Sequence, residues 1–262
     1  MGVSVGTLVV KIGGRAAEQT ADLAALCDEM LVLSREHAVI LVHGGGAEVT
    51  AVSRRLGIEA VFHDGVRLTS PEEMDIVDMV LAGKVNKQLV RLLRTRGANA
   101  VGLSGSDGGI FTGRALSAVQ GSAQTRTGEI TATDTRLLAL LLENGYLPVI
   151  SSTSMDAEGR GLNINADSAA FGLAARLAAS ALVFLSDIPG ILSEGSTVQA
   201  LSAEEARGLI EKGVIKGGMI PKVIASLEAM NQGVQKVIIG QYDGAGSLAR
   251  LLEGKQGTRL WK

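Results

Sequence analysis

Lysine stands beside a glycine pair twice in this chain, in Leu8-Val9-Val10-Lys11-Ile12-Gly13-Gly14 and in Lys216-Gly217-Gly218-Met219-Ile220-Pro221-Lys222. An ammonium at the end of an apolar strand is costly to desolvate unless an anion meets it. Glycines beside it let a phosphate approach backbone N–H donors. A solvated strand terminus would explain Lys11, Gly13 and Gly14 taken alone, so the weight falls on the other segments that supply parts of phosphoryl-transfer chemistry.

Leu41-Val42-His43-Gly44-Gly45-Gly46-Ala47 turns a strand into a helix through three glycines. Such a turn presents N–H groups and a helix dipole to a carboxylate or a phosphoryl group, whereas a plain tight turn accounts for one or two glycines. His43 reads as a satisfied structural histidine with no catalytic role. Gly65-Val66-Arg67-Leu68-Thr69 sets an arginine on a hairpin, where its fork could take a carboxylate or simply face solvent. In Gly161-Leu162-Asn163-Ile164-Asn165-Ala166-Asp167, polar residues alternate just where an alanine-rich helix begins. Asn165 is suited to cap that helix. Asp167 either favours the helix dipole or holds two lysines in position. Ser186-Asp187-Ile188-Pro189-Gly190 ends a buried strand with an acid, which could contact a nucleotide or close a turn.

The elements that must position these groups alternate along the chain. Apolar runs at 7–12, 38–42, 98–103, 147–151, 181–186 and 235–239 read as buried strands rich in Val, Ile and Leu. Apolar residues spaced by three and four over 18–36, 45–56, 71–95, 133–144, 165–178, 202–212 and 218–232 read as helices. Thr69-Ser70-Pro71-Glu72-Glu73 is a helix start, with a hydroxyl cap, a proline in the first turn and acids at the positive end of the dipole. The pattern predicts an α/β fold, a three-layer αβα sandwich around a central, mainly parallel open sheet. Residues 58–69 and 104–131 read as β-hairpin lids on that sheet, with Gly65, Gly113, Gly121 and Gly128 as turn residues. A functional boundary is expected near 180, giving lobes 1–180 and 181–262 on one continuous sheet, each contributing one substrate across the carboxyl ends of the strands.

Composition narrows the chemistry. A net charge of −2 supplies no general pull toward nucleic acid or an anionic membrane, and 3% aromatic residues leave few stacking platforms for bases. No apolar run reaches the roughly 20 residues that span a bilayer, and no leader pattern opens the chain, so a cytoplasmic location is expected. The single cysteine, Cys27, falls on an apolar helical spacing and reads as a core thiol. There is no Gly-x-x-x-x-Gly-Lys-Ser/Thr loop, no Gly-x-Gly-x-x-Gly after the first strand and no Gly-x-Ser-x-Gly nucleophile elbow. Three histidines and one cysteine form no convincing zinc set.

In order and spacing, the segments around Lys11, His43, Arg67, Asn163, Ser186-Asp187 and Gly218 to Lys222, with the closing Gly257-Thr258-Arg259, resemble the amino acid kinase family over essentially the whole chain. They look most like its branch acting on N-acetyl-L-glutamate in arginine biosynthesis. The resemblance implies transfer of the γ-phosphoryl group of ATP, carried with Mg2+, to the side-chain carboxylate of N-acetyl-L-glutamate. It implies that Lys11 and Lys222 stabilise charge on the moving group, that Asp167 orients them, and that Gly44 and Gly45 donate to it. Arg67 and Asn163 would then hold the acetylated amino acid. Gly13, Gly14, Asp187, Ile188, Pro189, Gly190, Ile191, Leu192 and Lys216 would form the nucleotide side, with no metal held by the protein itself.

Asp64 stands where the family more often has asparagine. The nearest alternative is the relative that phosphorylates carrier-protein-linked aminoadipate in lysine biosynthesis, which tends to lack the Gly-x-Arg-x-Thr form. An amino-acid-sensing relative without catalysis is the alternative from another class, against which Lys11, Asp167 and Lys222 speak. About six residues precede the first strand, where arginine-inhibited members carry an additional helix. The expectation is a plain homodimer without arginine feedback, joined through the helix from Pro71.

Overall fold

The computed structural model describes residues 6–13, 20–63, 65–116 and 125–262. Gly14, Asp64 and Gly121 therefore lie outside the described residues. In chain order the elements are β1 (Thr7–Ile12), α1 (Thr20–Leu33), β2 (Ala38–His43), α2 (Gly46–Arg55), β3 (Val61–His63), β4 (Val66–Leu68) and α3 (Pro71–Asp78). A π-helical segment, Met79–Val85, joins α3 to α4 (Asn86–Arg94), followed by β5 (Ala100–Ser104), β6 (Phe111–Ala115), β7 (Thr127–Thr133) and α5 (Arg136–Glu143). Then come β8 (Leu147–Ser151), β9 (Thr153–Met155), β10 (Gly161–Ile164), α6 (Ala166–Arg176), β11 (Ala181–Ser186), β12 (Leu192–Ser193) and β13 (Ser196–Thr197). The chain closes with β14 (Ala200–Ser202), α7 (Ala203–Glu211), α8 (Met219–Asn231), β15 (Lys236–Gln241), α9 (Ser247–Leu252) and β16 (Thr258–Trp261).

Eight strands form the main sheet in the order β14-β16-β15-β11-β1-β2-β8-β5. All neighbours run parallel except β15 with β16. Because strand side chains alternate faces, Val9, Ile40, Phe184 and Ile239 enter one core with α6 and α8. Val10, Leu41, Val183 and Ile238 enter the other core with α1, α4 and α9. Burial on both faces explains why these strands read as unbroken apolar runs, and it gives the expected three layers. Each fully buried aliphatic side chain there contributes about 1.5–3 kcal/mol.

The hairpin expected over 58–69 is β3 with β4, and Gly65 makes its turn at φ 78°. The one expected over 104–131 is β6 with β7, but these strands also close with β9 and β10 into a small barrel. Gly113 and Gly128 lie inside β6 and β7 rather than in turns. A Cβ on Gly113 would stand 2.6 Å from the Glu129 carbonyl oxygen, and one on Gly128 would stand 3.0 Å from Leu162. Those glycines serve close strand packing, which reads the same as a turn signal in sequence.

The helix from Pro71 starts as expected: the Ser70 hydroxyl accepts from the Glu73 N–H and Pro71 occupies the first turn. It is long, yet π-helical in its middle. The short strands β9, β10, β12, β13, β14 and β16 were not legible as separate apolar runs, since each is at most four residues long.

Candidate active site

β1, β2 and β11 are parallel neighbours, so Gly13, Gly44 and Asp187 all follow the carboxyl ends of adjacent strands on one edge of the sheet. Lys11 shares its face of β1 with Val9, the face that α6 and α8 cover. Its Nζ lies 2.7 Å from Oδ1 of Asp167 in the first turn of α6. Lys222, in the first turn of α8, brings its Nζ to 3.1 Å from the other carboxylate oxygen. One carboxylate thus holds two ammonium groups that the sequence places at opposite ends of the chain. Phe184 lies beneath Lys222 with its ring centroid 5.4 Å from Nζ, and Phe171 backs that ring at 4.7 Å.

The three side chains are 13%, 16% and 25% exposed for Lys11, Lys222 and Asp167, so a ligand can reach them while most water is kept off. Burial works against ionisation of Asp167, but Lys11 and Lys222 outweigh it and hold its carboxyl below the usual range. Asn165 caps α6 as expected, its Oδ1 accepting from the Asp167 N–H at 2.8 Å and the Ser168 N–H at 3.3 Å.

Before α2, Gly45 is the glycine that space requires, whereas Gly46 is not constrained in this way. A Cβ on Gly13 would collide with the Lys11 ammonium. Gly45 sits at φ 150°, and a Cβ there would meet Leu81 of the π-helical segment at 2.9 Å. No side chain caps α2, which leaves its first N–H groups available to a ligand. His43 is fully buried behind this turn. It donates from Nδ1 to the Gly44 carbonyl at 2.8 Å, while Nε2 accepts from Asn86 Nδ2 at 3.1 Å. Burial pushes its pKa down to about 4, so the ring is neutral at physiological pH.

Arg67 is not a surface arginine. It is 8% exposed and donates to Glu73 Oε1 at 2.6 Å, to the Gly46 carbonyl at 3.1 Å and to the Thr50 hydroxyl. Its guanidinium also lies over the Phe62 ring, 4.8 Å from the centroid. Asn163 reaches across to the Thr69 hydroxyl at 2.9 Å. Thr127 ties the same strand down, donating to the Arg67 carbonyl at 2.5 Å and accepting from the Thr69 N–H at 2.9 Å. The Arg126 N–H donates to the Thr69 carbonyl at 2.7 Å, and the Arg126 carbonyl accepts from the Asn163 N–H at 2.8 Å.

A cavity of about 1080 Å³ gathers Lys11, Gly13, Gly44, Gly45, Arg67, Asn163 and Asp167 along its wall. Phe62, Gly65 and Val66 from one hairpin, and Leu116 with Thr127 to Ile130 from the other, also line it, so both hairpins contribute to the wall of the site. Lys222 joins through Asp167. Asp187 to Leu192 and Lys216 are not brought to this cavity's wall. Asp187, Pro189, Leu192 and Lys216 are exposed and Ile188 is half-buried. Ile191 is buried in the core, its N–H donating to the Thr258 hydroxyl at 2.8 Å. A Cβ on Gly190 would stand 2.7 Å from that same hydroxyl.

Sequence reasoning missed Thr50, Glu73 and Thr127 as parts of the site. Glu73 reads as a helix-start acid because it is one, and its second task depends on Arg67 arriving from a separate strand. Thr127 carries no local signal at all. Among the described residues, no three His, Cys, Asp or Glu side chains gather to hold a metal ion. The acid at the lysine junction, Asp167, is already neutralised from both sides.

A model of the amino acid kinase family matches residues 6–241. An acetylglutamate kinase of Prochlorococcus marinus is 43% identical over 251 residues, covering 94% of this chain and 81% of that protein. An acetylglutamate kinase of Geobacillus kaustophilus is 41% identical, covering 89% of each chain. Among solved structures, N-acetylglutamate synthase from Neisseria gonorrhoeae, complexed with coenzyme A and N-acetyl-glutamate, superposes with a TM-score of 0.85 at 26% identity. That match covers 98% of this chain and 59% of the synthase.

Proposed function

The chain belongs to the amino acid kinase family, and from that premise we propose that it transfers the γ-phosphoryl group of ATP to the side-chain carboxylate of N-acetyl-L-glutamate, the acyl-phosphate-forming step of arginine biosynthesis. The observation that carries this reading is Asp167 bridging Lys11 and Lys222 at the mouth of the glycine turn. Phosphoryl transfer asks for positive charge and N–H donors around the equatorial oxygens, and a carboxylate acceptor needs no base to become a nucleophile.

In this reading Lys11 and Lys222 neutralise charge that grows on the moving group, and Asp167 keeps the two ammoniums from repelling each other. Gly44 and Gly45 donate from the backbone, with the dipole of α2 behind them. Arg67 and Asn163 hold the acetylated amino acid. The Arg67 guanidinium is fixed by Glu73, Gly46 and Thr50, so its remaining donors are pre-organised for an incoming carboxylate.

Residues 181–262 supply the nucleotide side, through the backbone of Asp187 to Leu192 and through Lys216, together with Gly13 and Gly14. Residues 1–180 supply the acyl-amino acid side and dimerisation. Among the described residues no three acidic, histidine or cysteine side chains gather into a cage, which suits Mg2+ entering on the phosphates of ATP, where it would neutralise phosphate charge. We place the enzyme in the cytoplasm as a homodimer joined through the helix from Pro71, where Met79 is exposed. No helix among the described residues is long and apolar enough to cross a membrane.

The test is hydroxamate formation with Mg·ATP, comparing N-acetyl-L-glutamate with free glutamate, N-acetylaspartate and carrier-linked aminoadipate. Signal confined to N-acetyl-L-glutamate is expected, and preferential activity with another acid would replace the substrate.

A further inference from the structure

His43 and Asn86 are fully buried, and neither lines the cavity, yet together they are bonded to its most constrained turn. The direction of each bond is legible. Asn86 Nδ2 lies 2.9 Å from the Val149 carbonyl and 3.3 Å from the Leu103 carbonyl, so that end of the amide is the donor. Lys87 Nζ lies 2.9 Å from Asn86 Oδ1, which makes the other end the acceptor. Nε2 of His43, 3.1 Å from the donor end, must accept, so the ring proton is on Nδ1. That proton is given to the Gly44 carbonyl at 2.8 Å.

A trans peptide points its carbonyl and its N–H in opposite directions, and no cis bond occurs among the described residues. Holding the Gly44 carbonyl back toward the buried ring turns the Gly45 N–H the other way, to the side where Gly44 and Gly45 line the cavity. Gly45 has no Cβ to limit its rotation, and at φ 150° it occupies a region other residues avoid. Leu81 and Val85 confine it sterically from one side, at 2.9 and 3.3 Å from where a Cβ would be. The histidine bond to the Gly44 carbonyl fixes the orientation of the peptide plane.

We propose that His43 and Asn86 are positioning residues. In the Nδ1–H tautomer imposed by Asn86, His43 anchors the Gly44–Gly45 peptide so that the Gly45 N–H is aimed at the phosphoryl group in transit. The ring exchanges no proton with substrate. The proposal rests on the functional reading above, deepening the role of its glycine turn.

The decisive measurement is the tautomer, read from a long-range proton–nitrogen spectrum of nitrogen-15-labelled protein without substrate, with the His43 signals assigned by their loss in His43→Asn. A neutral ring protonated on Nδ1 is expected, and protonation on Nε2 overturns the proposal whatever the substrate proves to be. Kinetics separate positioning from bulk. His43→Asn keeps a donor near the position of Nδ1 and should retain most of the turnover. His43→Gln and His43→Leu, which lose that donor, should lower kcat by about tenfold to a hundredfold with both KM values little changed. Equal turnover in the asparagine and leucine variants would overturn the proposal. Should the leucine variant fail to fold, Asn86→Asp serves, because an acceptor facing Nε2 draws the proton of the neutral ring there. At mildly alkaline pH its kcat should fall as the spectrum changes tautomer, and unchanged turnover with a moved proton would also overturn it. If wild-type protein makes no hydroxamate from N-acetyl-L-glutamate, the substrate assignment fails while the spectrum still decides the proposal.

Discussion

Lys11 Nζ and Asp167 Oδ1 form an ion pair 2.7 Å apart where the end of β1 meets the start of α6. With Lys222 on the second oxygen, the carboxylate fixes the separation of two like charges that would otherwise drive each other apart. The ammoniums are thereby arranged before substrate arrives, which is what electrostatic catalysis requires, because reorganisation during the reaction would consume the gain.

Lys11→Ala and Lys222→Ala should each lower kcat by roughly a hundredfold or more, with the fold retained. Steady-state hydroxamate kinetics with circular dichroism of each variant check this. Turnover within a fewfold of wild type would remove that lysine from the catalytic role.

Asp167→Asn should cost turnover as severely, and it should also change the acid side of the stability profile. The folded carboxyl ionises below its unfolded value. Its stabilisation is therefore present above the unfolded pKa and is lost as pH falls through the folded one. Urea midpoints measured as pH descends through the carboxylate range should fall less steeply in the variant.

The Arg67–Glu73 pair, with Glu73 2% exposed, is a buried ion pair, and breaking one side leaves an uncompensated charge. Glu73→Gln should destabilise the protein by about 3–5 kcal/mol. Arg67→Lys keeps the charge but loses the fork, and should raise KM for the acetylated amino acid while leaving KM for ATP in place. Thermal unfolding and two-substrate kinetics check these outcomes.

Gly45→Ala places a methyl group 2.9 Å from Leu81 at φ 150°. Loss of about 1–3 kcal/mol is expected from backbone strain alone, with kcat falling further than stability explains. Gly46→Ala, where a Cβ meets nothing within 4 Å, is the matched control.

His43 gives a second pH signature. Its ring is neutral when folded down to about 4, against an ordinary value of 6.5. Above that ordinary value the full stabilisation is present. Below it the unfolded chain takes a proton the folded chain refuses, so stability falls by up to about 1.4 kcal/mol per pH unit. His43→Asn should flatten the unfolding midpoint between about pH 6.5 and pH 4.

The layers and the lysine-glycine segments could be read from the chain because their signals are local. Buried parallel strands must be apolar on both faces, amphipathic helices must repeat at three and four, and glycines must stand where backbone approaches an anion. Asn165 as a cap and Ser70 before Pro71 are equally local, each settled within one helical turn. What only the tertiary structure decided depends on separate segments meeting. It made Glu73 the counter-ion of Arg67 as well as a helix-start acid, put Gly113 and Gly128 inside a barrel instead of in turns, and gave Thr127 its bonds to Arg67 and Thr69. For Asp167, where the sequence left a dipole partner and a lysine holder both open, it decided for the carboxylate between Lys11 and Lys222. A side chain's type and neighbours in sequence state what it can do, but a buried polar group takes the partner that closure of the chain delivers, since leaving it unpaired would cost more than the bond it forms.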